Sequence, residues 1–207
     1  MRVLLIFVLL GAARAQQFEI GALGGGGFLN GIPIRGTPAS VSAGFSPGPA
    51  AGILIGHNRY ARWSGEIRYL FEERDPRLTA GSSSASFSGQ AHAMHYDMVF
   101  HVRPRTERMQ PYLTVGGGVK VFRGTGAEMA YRPLMQYGYL TRTSEWKPMM
   151  AIGGGLKIRM GTRLLARVDF QNHITRFPQK VIAPAPGLTL GGWLLDFIPT
   201  VGLSWTF

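Results

Sequence analysis

The last nineteen residues, from Thr189 to Phe207, constrain the fold more than any other part of the chain. From Trp193 onward the odd positions are apolar, and the polar residues fall on even positions: Asp196, Thr200, Ser204 and Thr206. Because successive side chains of a strand point to opposite faces, this period of two predicts a strand. Aromatic residues occur at both ends of its apolar face, at Trp193 and Phe197 and again at Trp205 and Phe207. A membrane-spanning β-strand between two interfacial aromatic girdles has this pattern.

The chain stops on an aromatic residue, Phe207. Here the sequence resembles the bacterial outer-membrane β-barrel proteins, whose final strand ends in a Phe or Trp that the insertion machinery reads. The resemblance, to the small barrel domain of the outer-membrane-protein-A type, covers the whole mature chain. It implies a location in the outer membrane of a Gram-negative cell and contacts with outer-membrane lipid and lipopolysaccharide. It also implies that Phe207 is the insertion signal; the alternative is an ordinary soluble β-strand that ends in Phe.

The N-terminus has the features of an export signal. Met1-Arg2 is a short positive segment, Val3 to Leu10 is an apolar run, and Ala13-Arg14-Ala15 matches an A-x-A cleavage site. The predicted organisation is therefore a cleaved signal peptide, residues 1–15, followed by a β-barrel domain, residues 16–207. The chain contains no cysteine, so no disulfide framework can stabilise the exported protein.

Charge and composition narrow the class of protein further. Without Arg2 and Arg14 the chain keeps 20 basic residues against 11 acidic ones, a net charge of +9. Such an excess is compatible with nucleic acid, an anionic membrane surface or an acidic glycolipid as a partner. Export, and the lack of a basic recognition helix, argue against nucleic acid. No segment beyond Leu10 is long and apolar enough for a transmembrane helix, and 29 Gly and 13 Pro favour strands and turns.

The same alternation predicts seven further strands: Phe18–Phe28, Ala50–Gly56, Arg62–Phe71, Ser86–Val102, Pro111–Phe122, Trp146–Met160 and Arg163–Thr175. Short connections near 57–61, 103–110 and 161–162 alternate with long ones at 29–49, 72–85, 123–145 and 176–188. Short periplasmic turns and longer extracellular loops alternate in this way in transmembrane barrels. The predicted fold is an all-β, antiparallel, up-and-down transmembrane β-barrel of eight strands. A barrel of ten strands stays an alternative if the third long loop contains a hairpin.

Alternation also predicts which charges face the lumen. A connected ion-pair network is expected there, from Glu19, Glu66, Arg68, Asp97, Lys120, Lys157, Arg159, Arg167, Asp169 and Asp196. The lumen of an eight-stranded barrel is about as wide as its own side chains, and unpaired charges in it would be costly. We therefore expect a plugged, largely non-conducting interior.

The opposite strand faces are apolar and nearly free of charge, as a lipid-facing wall requires. The predicted aromatic girdle comprises Trp63, Tyr69, Phe71, Tyr96, Trp193, Phe197, Trp205 and Phe207. His92 falls on the lipid side by strict alternation, which indicates either a bulge or a position above the membrane.

Two groups of residues are candidates for chemical sites. Asp169, His173 and Thr175 share one strand face, but residues four apart on a strand lie ~13 Å apart along it, so Asp169 cannot orient His173. Lipid A deacylases carry His-x-Ser-Asn near the end of a late strand, and the sequence here, from His173 to Arg176, lacks both the Ser and the Asn. The side chains of His92 and His95 point to opposite faces of their strand, and the spacing of the two residues matches no zinc site. We therefore predict no catalytic residues, no metal and no cofactor.

The predicted function is a structural or surface-interaction role carried by four long extracellular loops. Cations in these loops are candidates for contact with anionic glycolipid headgroups, with simple solvation as the alternative: Arg35, Arg74, Arg77, Arg123, Arg132, Arg142, Lys147, Arg176 and Lys180. Two alternative functions remain open, a narrow passive channel for small solutes and a lipid A-modifying hydrolase.

Overall fold

The structure, a computed structural model, describes residues 18–38, 40–128 and 133–207. The predicted signal peptide and its cleavage site lie outside these residues, as do Tyr131 and Arg132. In chain order the strands are β1 (Phe18–Leu29), β2 (Ile32–Pro33), β3 (Val41–Phe45), β4 (Gly48–His57), β5 (Trp63–Glu73), β6 (Pro76–Ala80), β7 (Ser83–Ser86), β8 (Gly89–His101), β9 (Met109–Gly124), β10 (Gly138–Leu140), β11 (Ser144–Arg159), β12 (Leu164–Arg176), β13 (Ile182–Pro184) and β14 (Trp193–Thr206).

Eight of these strands form a closed antiparallel barrel in the order β1-β14-β12-β11-β9-β8-β5-β4. The first and last strands complete the ring, since the Phe18 and Phe207 backbones exchange hydrogen bonds of 3.1 and 3.0 Å. Barrel strands that follow one another in the sequence are adjacent in the ring. This order confirms the up-and-down fold and all eight predicted strands. Closure at eight means that the ten-stranded alternative is wrong.

Each barrel strand alternates between a lipid-facing wall and the lumen. On β4, Leu54 is 1% exposed, whereas its neighbours Ile53 and Ile55 are 56% and 53% exposed. Apolar residues on the outside and polar residues on the inside reverse the pattern of a water-soluble strand, and this reversal is what a bilayer requires. Among the residues that the structure describes, no helix is long and apolar enough to cross a membrane.

Glycines make this narrow ring possible. A Cβ on the inward-facing Gly25 would overlap the Pro199 carbonyl oxygen of the adjacent strand and would lie 2.8 Å from Thr200 Cα. At Gly24, which faces outward, an added Cβ would meet nothing within 4 Å. Inward glycines therefore allow neighbouring strands to coil closely, as a small barrel requires.

The long connections are not simple loops, contrary to the sequence-based expectation. They form a four-stranded sheet, β2-β3-β6-β7, and a two-stranded sheet, β10-β13. The third connection contributes β10 to a pair with the fourth connection, and none of its described residues adds a strand to the barrel. We call this assembly the cap, formed by the described residues 30–38, 40–47, 74–88, 125–128, 133–143 and 177–192. We call the opposite end of the barrel the short-turn end.

The cap has its own hydrophobic core, which continues into the mouth of the barrel. Phe45 of β3 stacks on Phe122 of β9 at 5.1 Å and lies 6.2 Å from Phe177. The buried core residues are Ile32, Ile34, Val41, Ala43, Phe45, Leu78, Ala91, Phe122, Phe177, Val181, Ile182, Leu190 and Leu194. Because Ala91, Phe122 and Leu194 are inward-facing barrel residues, the core of the cap packs against the inside of the barrel at this end.

Candidate functional site: the lumen and its cap

Two ion-pair clusters fill the lumen. The lower cluster, nearer the short-turn end, joins three cations to four carboxylates: Arg68, Lys157 and Arg167 with Glu19, Glu66, Asp97 and Asp169. Lys157 lies 2.8 Å from Glu19 and 2.6 Å from Glu66. Arg167 contacts the same two carboxylates at 3.0 and 3.1 Å. Its Nη2 also donates to the Tyr112 hydroxyl at 3.0 Å, so this guanidinium connects β12, β1, β5 and β9.

The upper cluster, beneath the cap, balances two cations against two carboxylates. Lys120 lies 2.8 Å from Glu72 and 2.5 Å from Asp196. Arg74 lies 2.8 Å from Glu72 and 3.1 Å from Asp196. All four side chains are at most 2% exposed, so each charged group contacts its ion-pair partners instead of solvent. Buried charges are tolerated when they are paired in this way.

A histidine pair separates the two clusters. The rings of His95 and His173 pack edge to face at 5.0 Å. His95 Nδ1 lies 2.9 Å from Asp97 of the lower cluster, and His173 Nδ1 lies 3.7 Å from Glu72 of the upper one. A small apolar group shares the lumen: Ala50, Leu70, Ala93, Met149, Ala151 and Ile198.

Nine of the ten residues proposed from the sequence for the network are buried and ion-paired. The tenth, Arg159, is half-buried, and its Nη2 donates to the Arg105 carbonyl oxygen at 2.6 Å. In the described part of the chain it lies within ion-pair distance of no carboxylate, so we assign it to the short-turn end. Glu72 and Arg74, which the sequence predicts in a long connection, also belong to the network. Alternation continued one residue beyond Phe71 places Glu72 inside.

The eight residues of the predicted girdle all lie on the outer wall, between 37% and 54% exposed. Trp63, Trp205 and Phe207 lie at strand ends on the short-turn side, and Trp193 begins β14 at the cap side. Phe71 lies near the cap end of β5, whereas Tyr69, Tyr96 and Phe197 lie four or five residues inside their strands. Membership of all eight in a girdle stays a prediction.

His92 is on the outer wall without a bulge. Its register is continuous, since it pairs with Phe71 on one side and Val121 on the other. Its Nδ1 lies 2.7 Å from the Tyr69 hydroxyl, so this polar ring has a partner on the wall itself.

Asp169 and His173 have separate environments in the structure. Asp169 accepts from Arg68 and Arg167 rather than from His173. Neither ring nitrogen of His173 has a hydrogen-bond partner within residues 18–38, 40–128 and 133–207. In the same residues no group of three or more potential metal ligands converges.

The cap cations have different environments. Arg74 is completely buried in the upper cluster, so its proposed contact with glycolipid headgroups is wrong. Lys147 is paired with Glu145 at 2.7 Å. The remaining described members are exposed: Arg35, Arg77, Arg123, Arg142, Arg176 and Lys180.

Two of the exposed cations share one cavity beside the outer wall. Arg35 and Arg176 line a space of about 340 Å³ together with residues 189–192. Arg35 is fixed there by paired backbone hydrogen bonds with Thr189, of 2.9 and 3.3 Å. The Arg176 guanidinium lies over the ring of Trp193, 4.1 Å from its centroid. The cavity therefore joins two cations to an aromatic residue at the upper edge of the apolar wall.

A closed eight-stranded barrel with an apolar outer wall and buried ion pairs inside defines the class of small membrane-spanning β-barrels. The chain is similar in structure to Neisserial surface protein A, with 8% identity over 94% of this chain and 99% of that chain, at a TM-score of 0.61. It is also similar to outer membrane protein AlkL, solved in lipid bilayers, with 14% identity over 93% of this chain and 91% of that chain, at a TM-score of 0.55. The N-terminal β-barrel domain of Pseudomonas aeruginosa OprF is 13% identical over 94% of this chain and 100% of that domain, at a TM-score of 0.50.

No protein-family model matches the chain, and no curated protein matches it. The identities to the solved structures are low, so these similarities define the fold alone. The chain therefore has the fold of the small outer-membrane β-barrels.

Proposed function

We propose that this protein is a non-enzymatic, non-conducting barrel of the outer membrane, and that its cap is a rigid extracellular surface for interaction. The observation that carries the proposal is the hydrophobic core of the cap, which continues into the barrel mouth through Phe122. A flexible set of loops would leave the lumen open to solvent. A packed cap closes it and presents a fixed surface, which is the usual arrangement for binding residues on a rigid scaffold.

The filled lumen supports the non-conducting part of the proposal. Both clusters lie across the interior, and their charged side chains are at most 2% exposed. A passive channel for small solutes would need a continuous water-filled path with accessible charges. Planar-bilayer recording is the direct test. We expect no steady conductance from the folded protein, and a large, steady single-channel conductance would overturn the proposal.

Anionic glycolipid, such as lipopolysaccharide, is the partner that the outer edge of the cap fits. The cavity holding Arg35 and Arg176 lies beside Trp193, where the apolar wall ends. Tryptophan favours the headgroup level of a membrane, and guanidinium groups bind phosphate oxygens in pairs. We further propose that Phe207 and the exposed apolar face of β14 are read by the barrel-insertion machinery.

The glycolipid contact is tested with Arg35→Gln combined with Arg176→Gln. The mature protein in detergent is titrated with lipopolysaccharide, and we expect a several-fold loss of binding in the double variant. The matched control is Arg77→Gln combined with Arg142→Gln, two exposed arginines of the cap that lie outside the cavity. Equal binding by the wild type and both double variants would refute a specific role for the cavity. Altered lipid A mass on overexpression would refute the non-enzymatic assignment.

A further inference from the structure

The short-turn end has an unusual charge composition. Its three turns, residues 58–62, 102–108 and 160–163, contain one acidic residue, Glu107, and no lysine. They contain six arginines: Arg59, Arg62, Arg103, Arg105, Arg108 and Arg163. Short turns of this kind need only polar or glycine residues to reverse the chain. The excess of one cation type is therefore not explained by turn formation.

Two arginines at this end have structural contacts. The Arg105 guanidinium donates to the Asn58 carbonyl oxygen at 3.1 Å, and Arg159 donates to the Arg105 carbonyl oxygen at 2.6 Å. These contacts tie two of the turns to each other and to the end of β11. Arg103 is 3.6 Å from Glu107, and both side chains are about half exposed.

The other four arginines project outward without compensation. Arg59, Arg62, Arg108 and Arg163 are exposed, and none is within ion-pair distance of a carboxylate in the described ranges. We call these four residues the arginine rim. Exposed guanidinium groups that lack an acidic partner on the protein are available to an anion outside it.

Aromatic residues on the outer wall place the arginine rim at the membrane surface. Trp63 and Phe100 pack at 4.9 Å, and Phe18 and Phe207 stack at 6.4 Å, all at the short-turn end of their strands. Aromatic rings at such positions mark the interface between hydrocarbon and headgroups. Because Arg62 directly precedes Trp63, the rim lies just beyond this interface, at the level of lipid phosphates.

A groove on the outer wall leads from the rim toward the hydrocarbon. It has a volume of about 320 Å³, and its lining includes Arg59, Tyr60, Trp63, Gly65, Tyr96 and Met98. Gly65 leaves room in the wall, and the Tyr96 ring lies over it, since any Cβ at Gly65 would overlap the Tyr96 phenol. The groove is cationic at its outer end and apolar along the wall. This order matches a phospholipid, in which a charged headgroup is followed by apolar acyl chains.

We propose that the arginine rim and this groove bind an anionic phospholipid of the periplasmic leaflet. Its phosphate lies against Arg59 and Arg62, and one acyl chain lies along Tyr96 and Met98. The contact fixes the depth of the barrel in the membrane and draws anionic lipid to its periplasmic end. The proposal rests on the orientation of the short turns toward the periplasm, and it is independent of what the cap binds.

The test compares lipid retention by the folded mature protein. Native mass spectrometry counts phosphatidylglycerol molecules retained against phosphatidylcholine for the wild type, for Arg59→Gln with Arg62→Gln, and for the cap variant Arg77→Gln with Arg142→Gln, whose arginines are exposed and lie outside the Arg35–Arg176 cavity. We expect each rim arginine to contribute about a fivefold preference for anionic lipid, so the rim variant should lose about 25-fold and the cap variant little. Heat-dependent gel mobility establishes that all three proteins are folded.

Two additions separate the sources of the anion. Inorganic phosphate at millimolar concentration should not displace the retained lipid, because the acyl chain contributes to binding; complete displacement would overturn the lipid assignment. Soluble polyglutamate should bind weakly, and strong binding that the rim variant abolishes would instead indicate an acidic protein partner. Equal retention of phosphatidylglycerol by all three proteins would mean that the rim arginines are simply solvated, and would also overturn the proposal. Loss in the rim variant leaves the lipopolysaccharide test of the cap unaffected, so the two proposals fail separately.

Discussion

Replacing Lys120 by methionine removes one of the four charges of the upper cluster while keeping most of the side-chain volume. The ammonium lies 2.8 and 2.9 Å from the two Glu72 oxygens and 2.5 Å from Asp196. In Lys120→Met, Arg74 alone faces both carboxylates, so one negative charge stays buried without compensation. Breaking a buried pair in this way costs about 3–5 kcal/mol.

A second substitution tests whether charge balance is the cause. Combining Lys120→Met with Glu72→Gln leaves the Arg74–Asp196 pair at 3.1 Å and restores neutrality. Removing both members of a buried ion pair often changes the free energy of unfolding little. The double variant should therefore lose less than about 2 kcal/mol, which is less than either single substitution alone.

Urea unfolding of the refolded protein in detergent, followed by tryptophan fluorescence, measures the free energy of unfolding for each variant. Lys180→Met, at an exposed cation of the cap, is the control and should change it by less than about 0.5 kcal/mol. If the two single losses simply add in the double variant, the lumen charges act independently of one another. The interpretation of the lumen as a dry, connected network would then be wrong.

Two further predictions concern the ring and the cap. Gly25→Val should prevent barrel closure, because its Cβ would overlap the adjacent strand, whereas Gly24→Val should fold normally; the heat-dependent gel mobility shift reports closure, and equal shifts would contradict the close approach of the strands. Phe177→Ala should destabilise the cap by about 3–5 kcal/mol through a cavity in its core, where Phe177 is 2% exposed. Limited proteolysis should then cleave the cap faster while the gel shift persists, and an unchanged cleavage rate would show that the cap is not a cooperative unit.

The barrel was predictable because a strict period of two is visible in each wall strand. The signal is strong where one face meets lipid and the other a polar lumen, as in β5 with Trp63, Ile67 and Phe71 outside. Strand ends were harder to place. Glu72 and Arg74 belong to a charged run that resembles a loop, and only their pairing with Lys120 and Asp196, distant in sequence, accounts for their burial.

The cap could not be predicted from the sequence, because its strands are short and its apolar residues are scattered among Gly, Pro and Ser. Val41 and Leu78 lie in strands of only five residues, yet they are 2% and 1% exposed. Their burial depends on pairing between separate connections, as in β3 with β6. Arg159 shows the opposite error, since alternation placed it inside but its position at the end of β11 puts it among the turns.

The shared core of the cap limits how the surface of this protein can vary. Ile34, Leu78 and Phe177 come from three different connections, and Leu140 of another packs against them. No connection can therefore be exchanged for a foreign segment without removing part of the core that the others need. New sequence is compatible only with the exposed tips, such as Gly81, which has a positive φ of 58° and open space around it. Antigenic change and peptide display should therefore be confined to a few hairpin tips on a surface that otherwise varies as a single unit.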